Sequence, residues 1–165
     1  MTIRQLEARL QETAAAFSRE GYFPSLSLSV FTKDDILIRH TLGQAREDSL
    51  FDIASLTKIA TATMVLQLVD QGRLALDTHL LEADPDLCQD PVLHQALAGI
   101  TLFQLLTHTS GLPAWYPVYT QPDFPSALKE AVKQDRPRGV EYSDLNFMLL
   151  SRVLKSQGTL NQDGS

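Results

Sequence analysis

Ser55 and Lys58 combine two residue types that can form a nucleophile and its base. A serine hydroxyl is a poor nucleophile at neutral pH and requires a base beside it. Because positions i and i+3 of a helix share a face, a helix from Ser55 to about Gly72 brings the two side chains together at its first turn. The N–H groups and the positive end of the helix favour an anion there, which suits a serine alkoxide. A lysine desolvated in this site is expected to have a lowered pKa and to accept a proton.

The same four residues have a simpler interpretation. Serine is a preferred helix N-cap, and Ser-x-x-Lys occurs by chance in many helices. Taken alone, the pattern favours capping over catalysis. Other segments of the chain must therefore decide between the two.

Composition excludes several functional classes. The chain has 165 residues, enough for one domain with a hydrophobic core, and a formal net charge of −6 with no basic cluster, which argues against a nucleic-acid partner. The N-terminus lacks the apolar run of a signal peptide, and no stretch is long enough to cross a membrane. We therefore expect a cytoplasmic protein that binds neither nucleic acid nor membrane.

Histidine and cysteine give no sign of a metal centre. His40, His79, His94 and His108 show no metal-ligand spacing with one another or with Cys88. A single cysteine also excludes an intrachain disulfide. We expect no metal.

The hydrophobic pattern predicts an α/β (α+β) fold. A helix is expected from residue 3 to about 20, then a hairpin of strands at 25–32 and 36–42, then the Ser55 helix, which is apolar enough to be buried on most sides. Further helices are expected at about 101–108, 126–133 and 143–155. Two strands form only a marginal sheet, so the sheet is predicted to be incomplete in this chain.

The whole chain, 1–165, is interpreted as a single partial domain. Its first part, about 1–57, holds the helix, the hairpin and the Ser55 turn, and its second, about 58–155, is mainly helical. The polar residues 156–165 are expected to be a disordered tail.

Three segments in order give the chain a family resemblance. They are Leu50–Gly72 around Ser55, then Ile100–Pro113 with its Leu-Leu-Thr-His-Thr-Ser-Gly-Leu-Pro run, and Glu141–Leu150 with Tyr142-Ser-Asp. From about residue 3 to 155 the chain resembles the serine beta-lactamase-related superfamily, above all the class C-like branch with its esterases and D-alanyl-D-alanine peptidases. The resemblance implies a beta-lactamase/transpeptidase-like fold.

The resemblance also implies roles for three residues. Ser55 would be the acylated nucleophile, Lys58 the adjacent base or proton carrier, and Tyr142 the tyrosine of the Tyr-x-Asn element. A tyrosine near a lysine ammonium has its anion favoured, so its pKa falls towards a useful range. The alternative for Tyr142 is a buried aromatic whose hydroxyl bonds to backbone.

Asp144 departs from the commonest form of this element, in which asparagine is usual. An amide can donate to a substrate carbonyl, whereas a carboxylate can only accept. If Asp144 meets Lys58, it would favour the protonated lysine and raise its pKa. This favours esterase-like or peptide-related chemistry over beta-lactam turnover; Asn146 is in the wrong register to replace the missing amide.

The loop after residue 113 supplies further candidates. Trp115 and Tyr116, with Asp144, are predicted to bind substrate by walling a cleft, although aromatic packing under a long loop is as consistent with the pattern. His108 and Ser110 are not expected to be catalytic, because the resemblance makes their run a structural loop.

One element of the resemblance has no counterpart. The Lys-Thr/Ser-Gly or His-x-Gly strand is missing, since Lys155-Ser-Gln-Gly has an extra residue and follows a helix. In related enzymes that strand supplies the second oxyanion donor, and losing one donor costs about 10²–10³ in rate. We therefore expect the N-terminal part of a longer hydrolase, whose open sheet could associate with another chain or copy.

The sequence as a whole predicts a serine hydrolase that forms an acyl-enzyme with a small-molecule ester, amide or beta-lactam carbonyl. No cofactor is expected, and activity of this chain alone is expected to be impaired. The alternative is a non-catalytic remnant that serves as a binding or assembly module.

Overall fold

A helix and a two-stranded hairpin form the first part of the chain. In the computed structural model, which describes residues 1–159, helix α1 spans Ile3–Arg19, and strands β1 (Ser25–Phe31) and β2 (Ile36–Gly43) pair antiparallel. Helix α1 packs against β2. The predicted helix and hairpin are confirmed to within a residue at each end.

Local hydrogen bonds and one glycine explain where these elements begin and end. Thr2 and Gln5 form a reciprocal capping box at the start of α1. At the end of β2, Gly43 has φ +71°, and a Cβ there would lie 2.1 Å from the Pro24 carbonyl oxygen. Only glycine fits this close approach, which ends the hairpin.

The residues from Ile53 onward form a second compact unit that is mainly helical. A 3₁₀ turn at Ala54–Leu56 leads into α2 (Thr57–Asp70). The remaining helices are α3 (Leu80–Ala83), α4 (Pro91–Leu97), α5 (Leu102–Leu106), α6 (Phe124–Ala131) and α7 (Asp144–Ser156). The predicted fold class, helices with a small antiparallel sheet, is confirmed.

Helix α7 is the centre of this unit. It packs against α2 and α5, and five of its apolar residues are buried in the core. These are Leu145, Leu149, Leu150, Val153 and Leu154. Burying leucine-rich faces against one another supplies most of the stability of such a unit.

Helix α2 is less buried than its apolar sequence indicates. Val65 and Leu68 are buried, whereas Ile59 and Leu66 are 66% and 48% exposed. The apolar sequence favours burial on most sides, but the missing strands predict a helix that is partly uncovered in this chain, and the exposure within residues 1–159 agrees with the second expectation. Packing against α7 protects only one of its faces, although its hydrophobic residues are spread around the axis.

The chain forms two compact units, and its last helix extends into the predicted tail. The compact units divide between Asp52 and Ile53, and the prediction of a single domain stays a prediction. The predicted tail begins too early: Ser156 is the last residue of α7, and Thr159 still donates from its N–H to the Leu154 carbonyl at 3.0 Å. Residues 160–165 of that tail lie outside the described residues. Within residues 1–159, no helix has the length and apolarity needed to span a membrane.

The central position of α7 predicts a large effect of truncating Leu149, which is fully buried. Leu149→Ala should lower the free energy of unfolding by about 2–5 kcal/mol, because it removes buried contacts and leaves a cavity. The measurement is urea unfolding followed by the fluorescence of Trp115, the one tryptophan in the chain. Leu66→Ala on the exposed side of α2 is the matched control and should cost clearly less. Equal losses would contradict the assignment of the core to α7.

Candidate active site

Ser55 lies at the centre of a tight turn that opens α2. The Leu56 N–H donates to the Ile53 carbonyl at 2.9 Å, and the Thr57 hydroxyl donates to the Ala54 carbonyl at 2.8 Å. Ser55 is exposed, so its hydroxyl faces solvent at the start of a helix of 14 residues. The positive end of that helix favours negative charge on the serine oxygen.

Lys58 lies beside Ser55, at the distance that the i, i+3 spacing predicts. Its Nζ is 3.1 Å from the Ser55 Oγ and 2.7 Å from the Asp144 Oδ1. The lysine side chain is only 16% exposed, and its ammonium also lies 5.0 Å from the centre of the Tyr142 ring and 5.8 Å from that of Phe147. One partly buried ammonium thus connects the serine, the carboxylate and two aromatic rings.

Asp144 and Tyr142 reach Lys58 from the beginning of α7. Asp144 occupies the first turn of that helix, where a carboxylate is favourable. Tyr142 stands two residues earlier, about half exposed, and interacts with both Lys58 and Ser55. The structure does not show the buried aromatic with a backbone-bonded hydroxyl that was the alternative for Tyr142.

The charges of this cluster favour a protonated lysine. Burial lowers the pKa of Lys58, but hydrogen bonds to Asp144 and Tyr142 and the negative charge of Asp144 outweigh burial, and the pKa lies above its usual value. The expectation that desolvation gives Lys58 a lowered pKa is therefore wrong. The effect that the sequence assigned to Asp144, should it meet Lys58, prevails instead.

The tyrosine responds in the opposite direction. A hydrogen bond to Lys58 and a weaker one to Ser55 lower the pKa of the Tyr142 phenol. The positive charge of Lys58 adds to the effect. The Asp144 charge acts against it. At this site the tyrosine, and not the lysine, is shifted towards the protonation state of a base.

A groove of about 430 Å³ runs along Ser55 between α2 and α7. Its lining includes Ser55, Lys58 and Asp144, with Phe147 and Met148 on the apolar side. Phe147 was not singled out in the sequence, although it stands three residues after Asp144 and so on the same helical face. An acyl group placed here would lie between a charged and an apolar wall.

The loop that follows α5 fixes the segment that carries Tyr142 and Asp144. The His108 carbonyl accepts from the Glu141 N–H at 2.9 Å, and the Ser143 hydroxyl donates to the Pro113 carbonyl at 2.6 Å. The Asp144 N–H donates to the Ala114 carbonyl at 3.3 Å. The Leu-Leu-Thr-His-Thr-Ser-Gly-Leu-Pro run is thus a scaffold, as the sequence predicts, and its hydroxyl at Ser110 is buried against Asn146.

Backbone strain is concentrated at this site. Among the described residues, only Ala54 and His108 adopt positive φ without being glycine, at +42° and +58°. Ala54 directly precedes Ser55, and His108 contacts Tyr142. Non-glycine residues pay for this conformation, and such strain persists where surrounding contacts hold it, commonly at functional sites.

The two predicted aromatic substrate contacts lie elsewhere. Neither Trp115 nor Tyr116 is among the residues that line the groove. Tyr116 packs against the core and accepts a hydrogen bond from the Gln121 amide, whereas Trp115 is 57% exposed. Their role in substrate binding stays a prediction. Among residues 1–159, no group of three or more metal-binding side chains is arranged to hold an ion.

Comparison with known proteins identifies a matching family. A family model described as Beta-lactamase matches residues 3–159. Penicillin-binding protein 4 of Amycolatopsis lactamdurans is 30% identical over 162 residues, which make up 90% of this chain and 42% of that protein. Esterase EstB of Burkholderia gladioli is 36% identical over 118 residues, or 67% of this chain and 30% of the esterase. The chain spans less than half the length of these curated relatives.

Solved structures share the fold. A beta-lactamase from Sulfitobacter sp. EE-36 superposes with a TM-score of 0.73 at 22% identity, over 96% of this chain and 45% of that one. Its matched part covers both the hairpin and the helices described above. At this identity the likeness concerns the fold alone.

The Lys58–Asp144 contact predicts the effect of restoring an amide at position 144. Asp144→Asn removes the carboxylate that raises the lysine pKa and leaves burial, which lowers it, so the pKa of Lys58 should fall. The measurement is an NMR titration of the lysine side-chain Cε–Hε signals. Asp90→Asn, which weakens the half-buried pair with Lys129, is the matched control and should leave Lys58 unchanged. An unchanged Lys58 titration in Asp144→Asn would refute the proposed balance of charges.

Proposed function

Because this chain belongs to the beta-lactamase family, we propose that it contains the acyl-transfer centre of a serine hydrolase, with Ser55 as the nucleophile. One observation carries the proposal: Lys58, one helical turn after Ser55, and Tyr142, far away in the sequence, both lie at hydrogen-bonding distance from the exposed Ser55 hydroxyl. A helix cap would need no such convergence. The capping alternative is also weakened because the N-cap of α2 is Leu56, not Ser55, and no side chain caps this helix by a hydrogen bond.

In the proposed first step Tyr142 acts as the base. Its phenolate removes the proton of the Ser55 hydroxyl as the serine oxygen bonds to the substrate carbonyl carbon. Lys58 remains an ammonium that stabilises the phenolate and the serine oxygen, because Asp144 keeps its pKa raised. The role of Lys58 in this proposal is therefore that of a fixed positive charge.

The remaining steps release first the leaving group and then the acyl group. The bond from the carbonyl carbon to the leaving group breaks, and the Tyr142 proton passes to the leaving group. A water molecule then attacks the Ser55 ester, gives its proton to Tyr142, and releases the acid while Ser55 recovers its hydrogen. The chemistry uses no cofactor, and the N-terminus of α2 stabilises negative charge near Ser55.

We propose a small-molecule ester or amide as the substrate class. Asp144 can accept but not donate a hydrogen bond, so it cannot hold a substrate carbonyl as an amide would. Phe147 and Met148 offer an apolar wall in the groove beside it. These features favour esterase-like or peptide-related turnover over beta-lactam turnover, and one relative of this chain bears the name esterase.

A second candidate function is a binding or assembly module without catalysis. Ile59 and Leu66 of α2 are 66% and 48% exposed, a surface that suits contact with another chain or copy.

The resemblance also implies a second oxyanion donor with no counterpart in this sequence. On this ground we propose that residues 1–165 alone react about 10²–10³ times more slowly than an enzyme that has both oxyanion donors.

Covalent labelling separates the two candidates. A fluorophosphonate probe should add one adduct to the protein, located at Ser55 by peptide mass spectrometry. Ser55→Ala should abolish the adduct, and so should Lys58→Ala, with little change in the circular dichroism spectrum. Lys129→Ala, which removes a lysine on α6, is the control and should label like the wild type. An unlabelled wild type, under conditions that label a full-length relative, would leave only the binding module.

The assignment of the base predicts a pH dependence. Labelling should accelerate as the pH rises through the lowered pKa of Tyr142, because deprotonation creates the base, and should decline above the raised pKa of Lys58, where the ammonium is lost. Tyr142→Phe should reduce the labelling rate by about 10²–10⁴, the usual contribution of a general base. Tyr116→Phe, away from the groove, is the matched control. A Tyr142→Phe protein with the wild-type rate and pH profile would remove Tyr142 from the mechanism.

A further inference from the structure

His108 contacts both neighbours of Tyr142 in the chain. Its carbonyl accepts from the Glu141 N–H at 2.9 Å, and its ring Nδ1 accepts from the Ser143 N–H at 3.1 Å. The imidazole also stacks on the Tyr142 ring with the centroids 4.6 Å apart and the planes tilted by 32°. One residue therefore restrains the tyrosine from the residue before it, the residue after it and the face of its ring.

The hydrogen bonds determine which form of the imidazole fits. The Ser110 hydroxyl accepts from the Leu112 N–H at 3.2 Å, so its own proton is free to go to the Asn146 Oδ1 at 2.6 Å. The Asn146 amide then directs its NH₂ group at the His108 Nδ1, 3.0 Å away. Two donors thus face one ring nitrogen, which must be an unprotonated acceptor, and the ring proton belongs on Nε2.

The surroundings oppose a charged ring. Burial, and after it the positive charge of Lys58 on α2, lower the pKa of His108, while Asp144 at the start of α7 acts in the opposite sense. Tyr142, a titratable residue, contacts the His108 ring. The uncharged Phe147 ring also packs against it, with the ring centroids 5.3 Å apart. An imidazolium would direct an N–H at two N–H donors and add a second cation beside Lys58.

We propose that His108, as the neutral imidazole protonated on Nε2, is a positioning residue that holds Tyr142 against Lys58 and Ser55. The backbone of His108 supports this role: its φ of +58° is uncommon for a residue with a side chain, and it directs the carbonyl and the ring to the same segment. Its importance for turnover rests on the proposed function of Tyr142. The contact itself exists whether or not the chain is an enzyme.

Two substitutions of His108 separate its acceptor from its bulk. His108→Asn keeps an acceptor near the place of Nδ1 and tolerates positive φ, whereas His108→Leu keeps an apolar side chain and loses the acceptor. The readout is the ultraviolet titration of tyrosinate, with Tyr142 obtained as the difference from Tyr142→Phe in each background. In the wild type and in His108→Asn, Tyr142 should titrate below its usual value; in His108→Leu it should return towards about 10.

One control variant accompanies these substitutions, and two results would contradict the proposal. His94→Leu, at an exposed histidine on α4, should leave Tyr142 at the wild-type value. A wild-type titration in His108→Leu would overturn the proposal, and so would a return towards 10 in His108→Asn as large as that in His108→Leu. If His108→Leu loses its circular dichroism spectrum, the comparison of His108→Asn with the wild type still decides whether an acceptor is sufficient.

A measurement on the unmodified protein tests the same inference. Nitrogen-15 NMR of the imidazole at neutral pH should show a neutral His108 with its proton on Nε2, and a proton on Nδ1 would refute the proposal. Neither experiment requires turnover. A chain that forms no Ser55 adduct yet shows the expected Tyr142 titrations would lose the proposed function and keep the positioning role; an adduct with unchanged titrations would do the reverse.

Discussion

The contact between Lys58 and Asp144 is the interaction on which the site depends. It joins the start of α2 to the start of α7 across 86 positions of the chain, with 2.7 Å between nitrogen and oxygen. Because the lysine is largely buried, its charge needs this partner, and the partner in turn keeps the ammonium charged. That fixed charge stands beside Ser55 and lowers the pKa of Tyr142.

The pair could not form without the loop after α5. Hydrogen bonds from Glu141, Ser143 and Asp144 to residues 108–114 hold the segment that carries Tyr142 and Asp144. Ala54, next to Ser55 in the chain, and His108, against the Tyr142 ring, both adopt positive φ. Rigid elements that hold functional side chains by packing and by hydrogen bonds of a supporting layer are a general requirement of precise sites. Here the supporting layer is the Leu-Leu-Thr-His-Thr-Ser-Gly-Leu-Pro run, which the sequence predicts to be structural.

Much of the local structure could be predicted because it follows from short-range rules. The alternating strands of the hairpin and the i, i+3 spacing of Ser55 and Lys58 involve residues close in the chain. Predictions about exposure were less successful. The apolar sequence of α2 indicated burial on most sides, but burial depends on which other elements cover the helix. Tyr116 likewise packs against the core, a choice that the aromatic loop left open.

By itself the sequence determined most of the elements, though not α3 and α4, together with the family resemblance and the candidates Ser55, Lys58 and Tyr142. Only the tertiary structure decided how their charges act on one another. Burial alone would lower the pKa of Lys58, whereas the Asp144 carboxylate reverses the direction, and the choice depends on a distance between two helices. The same holds for His108, whose ring reaches Tyr142 across more than thirty residues. Spacing along a chain fixes neighbours within a helix, but electrostatic interactions and hydrogen bonds depend on distances in space, which folding alone supplies.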